Sequence, residues 1–355
     1  MRVQTPLLLA ALFVAVPTLA TAKPLDQSTP VRWYAYPLDL VAQKPCQPRD
    51  INDSGQVVGI NSRNEYDIIG FVTGINGRGA IPLSLGGKSS AASAINDKGR
   101  VVGTSYADQD GYFIYAYITD PGGVNIRPIA PNGSSASAIN NLDQVAGTLF
   151  SDELFITEPN GQNPRVIPTL GQWAFPTAMN SSGQLTGHYG YGVAINHAFV
   201  TGPNGSNMID IHPPEARGSY GLGINDKGEV TGDQFSLGSF QSQQFVASYS
   251  DPVPKLVGSL GNLPGGLTAA GDINNKGVLV GSSSRGDKYG RIRVTFAQRG
   301  GVLKDLNRYV ENLPTGVYLK ESPVINNRNQ IAATGSDGLC YLMCTEPNCQ
   351  NPSVK

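Results

Sequence analysis

Ala94-Ile95-Asn96-Asp97-Lys98-Gly99-Arg100-Val101-Val102-Gly103 is one copy of a unit that returns along the whole chain. The pattern comes back at Ile51-Asn52, Ile139-Asn140, Met179-Asn180, Ile224-Asn225, Ile273-Asn274 and, loosened, at Ile325-Asn326, which makes seven copies. An apolar residue leads into Asn-Asp or Asn-Asn, then Lys-Gly or Ser-Gly, then a β-branched pair. Asn and Asp side chains bond to backbone two residues on, and Gly accepts positive φ. Two short strands joined by a tight turn fit this pattern. The repeated Asn therefore reads as a turn residue. The sharper alternative is a seven-fold ring of ligand-binding amides.

The Asn positions step by 44, 44, 40, 45, 49 and 52 residues. That is the period of four-stranded propeller blades. Within a period the first strand ends at the Asn and the second is the Gln-Val-Val-Gly segment. The third is aromatic, as in Gly70-Phe71-Val72-Thr73 or Ala116-Tyr117-Ile118-Thr119, and the fourth resembles Ile81-Pro82-Leu83. Gly is over-used, at 43 of 355 residues, and no helical periodicity is sustained. The expected fold is all-β: a seven-bladed propeller of four-stranded antiparallel blades. The seventh repeat stops after its third strand, and Tyr36-Pro37-Leu38-Asp39-Leu40 has no repeat of its own. An N-terminal strand that completes the last blade uses both leftovers and closes the ring. Ala94, Ala138, Ala178 and Gly223 suit crowded innermost strands. Asp50, Asp272 and Val324 depart from that rule, and the two Asp are expected to face a wet central channel.

The motif Ile-Asn-x-x-Gly-x-Val-x-Gly, with His197-Ala198-Phe199 on a third strand, resembles the bacterial extracellular HAF repeat family. The resemblance covers essentially the whole mature chain and implies a secreted, propeller-like protein. It transfers no catalytic residue, because the motif is itself the structural repeat.

The N-terminus agrees with export. Arg2, the apolar run Leu7 to Val16 and Ala20-Thr21-Ala22 read as a cleaved signal peptide. The expected division is signal 1–22, linker 23–31, propeller 32–345 and tail 346–355, with the protein secreted or periplasmic. A net charge of −1 argues against nucleic acid and against a polybasic membrane contact. No later run is long enough for a membrane span, and a monomer is expected. The four cysteines suggest two disulfides. Cys340 and Cys344 on one strand would stand about 13 Å apart, too far to pair. Cys46 follows the closing strand, so Cys46–Cys340 with Cys344–Cys349 is the expected pairing.

Chemistry is harder to find. No Gly-x-Ser-x-Gly elbow is present. His188 and His197 flank one hairpin loop and could face each other as half a metal site, but no third ligand stands out. No catalytic residue, metal or cofactor is expected. The loops around the fourth repeat carry Trp173, His188, Tyr189 and Tyr191, and aromatic faces stack on sugars and protein partners. These four are the candidate contacts for a glycan or an extracellular protein. A basic hairpin with Arg285, Lys288, Arg291 and Arg293 is the secondary surface, and it includes an Arg-Gly-Asp tripeptide. The expected function is a non-enzymatic binding module. The rival is a propeller enzyme, a polysaccharide lyase or glycoside hydrolase, acting at the mouth of the ring.

Overall fold

The computed structural model describes residues 32–42, 45–62, 68–191, 195–236, 242–258, 268–284, 293–299, 302–347 and 349–350. The expected signal peptide and linker, 1–31, lie outside them, as do Arg285, Lys288 and Arg291.

Seven antiparallel sheets follow one another along the chain, six of them four-stranded. We label the strands of each blade a to d from the centre outward. Strand a runs into the repeated Asn, and strand b leaves the turn. The seventh sheet has strands a, b and c at Leu319–Ile325, Ile331–Gly335 and Cys340–Cys344. Its fourth strand is the N-terminal Trp33–Pro37, antiparallel to Cys340–Cys344. A short outer strand, Val310–Glu311, lies parallel to it. The closing strand begins three residues earlier than the Tyr36–Leu40 stretch suggested, and the closure is as expected. Cys46–Cys340 and Cys344–Cys349 are both formed, with Cα separations of 5.6 and 6.3 Å. The first ties strand c of blade 7 to the start of blade 1.

Each blade buries one ring from strand c: Phe71, Tyr117, Phe155, Phe199, Phe245, Phe296 and Tyr341. In six blades a Gly of strand b is its register partner, as with Gly187 and Phe199. A Cβ on Gly187 would stand 2.0 Å from the Phe175 carbonyl oxygen. The final Gly of the motif is thus a close-approach residue that lets strand a pass over strand b.

The repeated Asn does more than turn the chain. In all seven turns its Oδ1 accepts the backbone N–H four residues on. Its Nδ2 donates across the seam to the carbonyl of the next blade's Asn. The links run from Asn52 to Asn96, Asn140, Asn180, Asn225, Asn274 and Asn326, and from Asn326 back to Asn52, at 2.8–3.4 Å. Each Asn is only 3–4% exposed. The amides form a closed ring with their hydrogen bonds satisfied inside the protein, so they hold the blades together.

The second Nδ2 proton explains the irregular repeats. In five repeats it goes to the Gln or Glu four residues on, as with Asn52 and Gln56. Repeats two and six carry Arg100 and Val278 there. The next repeat then supplies the acceptor from the position usually held by Gly: Asp143 to Asn96 at 2.7 Å, and Asn329 to Asn274 at 2.9 Å. Both residues adopt the left-handed conformation of the Gly they replace, with φ of 63° and 62°. The two departures from the motif compensate for each other across a seam.

Candidate functional site

Two regions carry chemistry. The first is the central cavity, of about 220 Å³. A β-bulge interrupts every strand a just before the Asn turn, and bulges re-aim side chains. Arg49, Ser93, Thr177, Leu222 and Gly271 come to line the cavity with Asp50 and Asp272. Each Asp accepts its own neighbour's N–H and that of the next blade's Ile: Asp50 from Ile51 and Ile95, Asp272 from Ile273 and Ile325. Burial pushes the Asp50 carboxyl up to about 7, against these hydrogen bonds and with help from the charge of Asp272. Burial likewise pushes Asp272 up to about 6, and it lowers Arg49. The expectation that both Asp face a central channel holds. No His lines this cavity among the described residues.

The second region is on the opposite face, where the b–c loops and blade connections gather. Blade 4 is built from Gln172–Met179, Leu185–Gly190, Asn196–Val200 and Ile209–Asp210. Trp173 lies in a bulge between the register pairs Gln172–Gly190 and Phe175–His188. It adopts φ +49°, an outlier for a bulky residue, and is 49% exposed. A Cβ on Gly190 would sit 2.8 Å from its Cε3, so the indole covers Gly190. Tyr191, 56% exposed, follows that glycine. Its ring stacks on His197 at 4.5 Å, and His197 stacks on His212 at 3.7 Å with only 6° between planes. Asp210 holds this column. Its Oδ2 lies 2.8 Å from His197 Nδ1 and accepts the Tyr189 hydroxyl at 2.9 Å, while its Oδ1 accepts the His212 N–H. His212 Nδ1 lies 2.8 Å from Ser219 Oγ. Burial, then the neighbouring His197, lowers the His212 imidazole, with Asp210 opposing.

His188 and His197 do not face each other. His188 pairs with Ala198 and Tyr189 with His197, so strand alternation points the two imidazoles to opposite sides of the sheet. His188 lies between Phe175 at 5.4 Å and Tyr220 at 4.6 Å. Its Nδ1 is buried without a hydrogen bond, and burial lowers it to about 4. No group of His, Cys, Asp or Glu among the described residues is arranged to hold a metal ion.

Of the four residues singled out in sequence, Trp173 and Tyr191 present rings to solvent. Tyr189 is 2% exposed and braces the column from beneath, its phenol pushed up by burial and by Asp210. His188 fills the seam to blade 5. Asp210, His212, Tyr220 and Phe175 were missed, because strand pairing and the blade 4–5 seam bring them in. Ser219 is buried and accepts the Ala198 N–H, which unsuits it as a nucleophile. Arg293 starts strand c of blade 6 and is exposed, while its three basic companions lie outside the described residues.

The exposed rings share a face. Tyr112, Phe113, Phe150, Trp173, Phe175, Tyr191 and Phe235 are the exposed aromatics among the described residues. All lie at the b–c end of blades 2 to 5, where the Asn turns do not reach.

No family model matches the chain, and no curated protein sequence matches it. Its fold does resemble solved structures. A catalytically inactive virginiamycin B lyase from Staphylococcus aureus, bound to quinupristin, aligns with TM-score 0.57 at 10% identity, over 88% of this chain and 99% of that one. YCF48 from Cyanidioschyzon merolae aligns at 0.56 and 11% identity, over 88% and 99%. Oligogalacturonate lyase from Vibrio parahaemolyticus aligns at 0.55 and 11% identity, over 88% and 94%. At such identities the likeness is one of fold.

Proposed function

We propose that this chain is a secreted, non-enzymatic binding propeller of the HAF-repeat kind, and that it holds a partner on its loop face at blade 4 by ring stacking. The reading rests chiefly on Trp173. A bulky side chain kept in the left-handed region costs roughly 1–2 kcal/mol, and such strain gathers at functional positions. Here it lays a half-exposed indole over Gly190 at the loop end of strand b. Export fits the two disulfides, which persist in oxidising extracellular or periplasmic compartments. The mature chain is the unit 23–355, with the propeller between 32 and 345. Capture of a partner from culture supernatant by wild type and by Trp173→Ala is the test. Loss with the variant supports the site. Equal capture by both folded proteins removes it.

A second reading has an observation of its own. Asp50 and Asp272, two carboxyls raised toward neutrality inside one cavity, have the tuning of an acid/base pair. A polysaccharide lyase or glycoside hydrolase working in the channel would use them. Turnover on a polysaccharide panel, abolished by Asp50→Asn, would establish that reading in place of the first.

A further inference from the structure

We infer that the central cavity holds a carboxylate ligand, bound by three backbone N–H groups on blades 3, 4 and 5. The site is independent of the loop-face partner and of any turnover in the channel.

Strand a is the innermost strand of each blade, so one of its edges has no neighbouring strand. In all seven repeats the Asn N–H turns to strand b, where it donates to the carbonyl four residues on. The N–H just before it therefore points the other way, off the free edge. The seven residues that carry this donor all line the cavity.

Four of the seven donors are met by carboxylates of the chain itself. Asp50 accepts from Ile51 at 2.7 Å and from Ile95 of the next blade at 2.8 Å. Asp272 accepts from Ile273 at 2.7 Å and from Ile325 at 3.1 Å. Each carboxylate thus bridges two adjacent blades. The other three donors, on Ile139, Met179 and Ile224, are consecutive around the ring. At the position of Asp50, blades 2 to 5 carry Ala94, Ala138, Ala178 and Gly223, whose side chains have no acceptor to offer. No acceptor for these three N–H groups is found among the described residues. Backbone donors in folded chains are nearly always paired, and several turned into one concavity favour an anion.

The chain's own pairs select the anion. A planar carboxylate already spans the N–H groups of neighbouring blades twice. A third, brought by a ligand, meets the same arrangement on Met179 with Ile139 or with Ile224. Such charge-assisted bonds are about twice as strong as neutral ones. Arg49 lines the same cavity and makes no ion pair among the described residues, so it offers the counter-charge. Asp50 and Asp272 oppose a further negative charge, and burial eases this by raising both toward the neutral form. At about 220 Å³ the cavity is smaller than a drug-sized site, which suits a small acid or the acidic end of a longer chain.

Met179 gives the test its reporter. The chain has four methionines, and Met208 and Met343 are buried away from the cavity. The full chain, carrying isotope-labelled methionine, is titrated with acetate and lactate, with galacturonate and oligogalacturonides, and with sulfate. Amide shifts are read by NMR at about pH 5, below the values of both Asp. The expected result is a saturable shift of the Met179 amide by a carboxylate, with Met208 and Met343 unmoved. Preference for acetate or lactate would make the ligand a free acid, and the reverse preference a sugar acid. Ala178→Asp sets a carboxylate of the chain on Met179 and Ile224, as Asp50 does on Ile51 and Ile95, and should weaken binding about tenfold or more. Arg49→Gln, at an exposed position, should weaken it about threefold and keeps the test valid should Ala178→Asp misfold. No Met179 shift with any carboxylate, a response to sulfate alone, or binding undiminished in a folded Ala178→Asp (in Arg49→Gln, should the first not fold) overturns the inference.

Discussion

Asn329→Gly restores the repeat motif, yet it should destabilise the protein unless Val278→Gln accompanies it. Asn274 is 3% exposed and gives one amide proton to Asn329 Oδ1 at 2.9 Å. Removing that acceptor orphans a buried donor, at a cost of about 1–3 kcal/mol. Glycine at φ 62° returns up to about 1 kcal/mol of left-handed strain, less for Asn than for most residues. The single variant should therefore lose about 1 kcal/mol, with about 2 as the upper end. Val278→Gln alone should also lose about 1 kcal/mol, since Val278 packs in the core of the blade 6–7 seam. In the double variant the introduced glutamine supplies the acceptor that Gln56, Gln144, Gln184 and Gln330 supply elsewhere. The Gly substitution should then cost nothing. The predicted coupling is about 1–3 kcal/mol in favour of the pair. Urea midpoints at unchanged m-value for the four proteins of the cycle measure it. Additivity within about 0.5 kcal/mol would refute the idea that the two irregular positions serve one hydrogen bond.

Other outcomes follow from the same contacts. Asn180→Ala removes two donated and two accepted hydrogen bonds at one seam and should cost about 2–5 kcal/mol in chemical denaturation; a loss below about 1 kcal/mol would mean the amide ring does not hold the blades. Cys46→Ser opens a link spanning 294 residues and should cost about 2–5 kcal/mol, with hydrogen exchange rising first in Trp33–Pro37; uniform exchange across the blades would contradict a local clasp. Asp50 and Asp272 have folded-state values of about 7 and 6, above the ordinary carboxyl value of 3.8. Their contribution is thus fully present below about pH 4 and is lost as pH rises through 6 and 7. The thermal midpoint should fall between about pH 4 and pH 7, and less so in Asp50→Asn; an Asp50→Asn profile that overlays wild type would exclude this carboxyl as the cause.

The blade count, the closing strand and both disulfides were legible in the chain because each is a matter of period, leftover strands and strand length. The Asn ring was only half legible. The turn role follows from Asn96-Asp97-Lys98-Gly99 alone, whereas the link to the next blade needs two repeats compared at once. The signal was there: the repeats with Arg100 and Val278 are the ones followed by Asp143 and Asn329. The site was readable only where sequence neighbours are spatial neighbours. Tyr191 beside Gly190 was within reach. The pairing of Asp210 with His197 depends on strand register, and the approach of Tyr220 to His188 depends on how blade 5 packs. Tyr189 misled because alternation along a strand hides every second side chain, and the aromatic count of a loop says nothing about which side each ring takes.

Trp173 reports on its own occupancy. The chain has two tryptophans, and the other, Trp33, is buried in the closing strand. In a Trp33→Phe variant, emission comes from the loop face of blade 4 alone. Titration with a partner found by array or capture should shift that emission to the blue and saturate at the affinity measured by calorimetry. Calorimetric binding with no change in Trp173 emission would place the partner elsewhere and contradict a stacking site at blade 4.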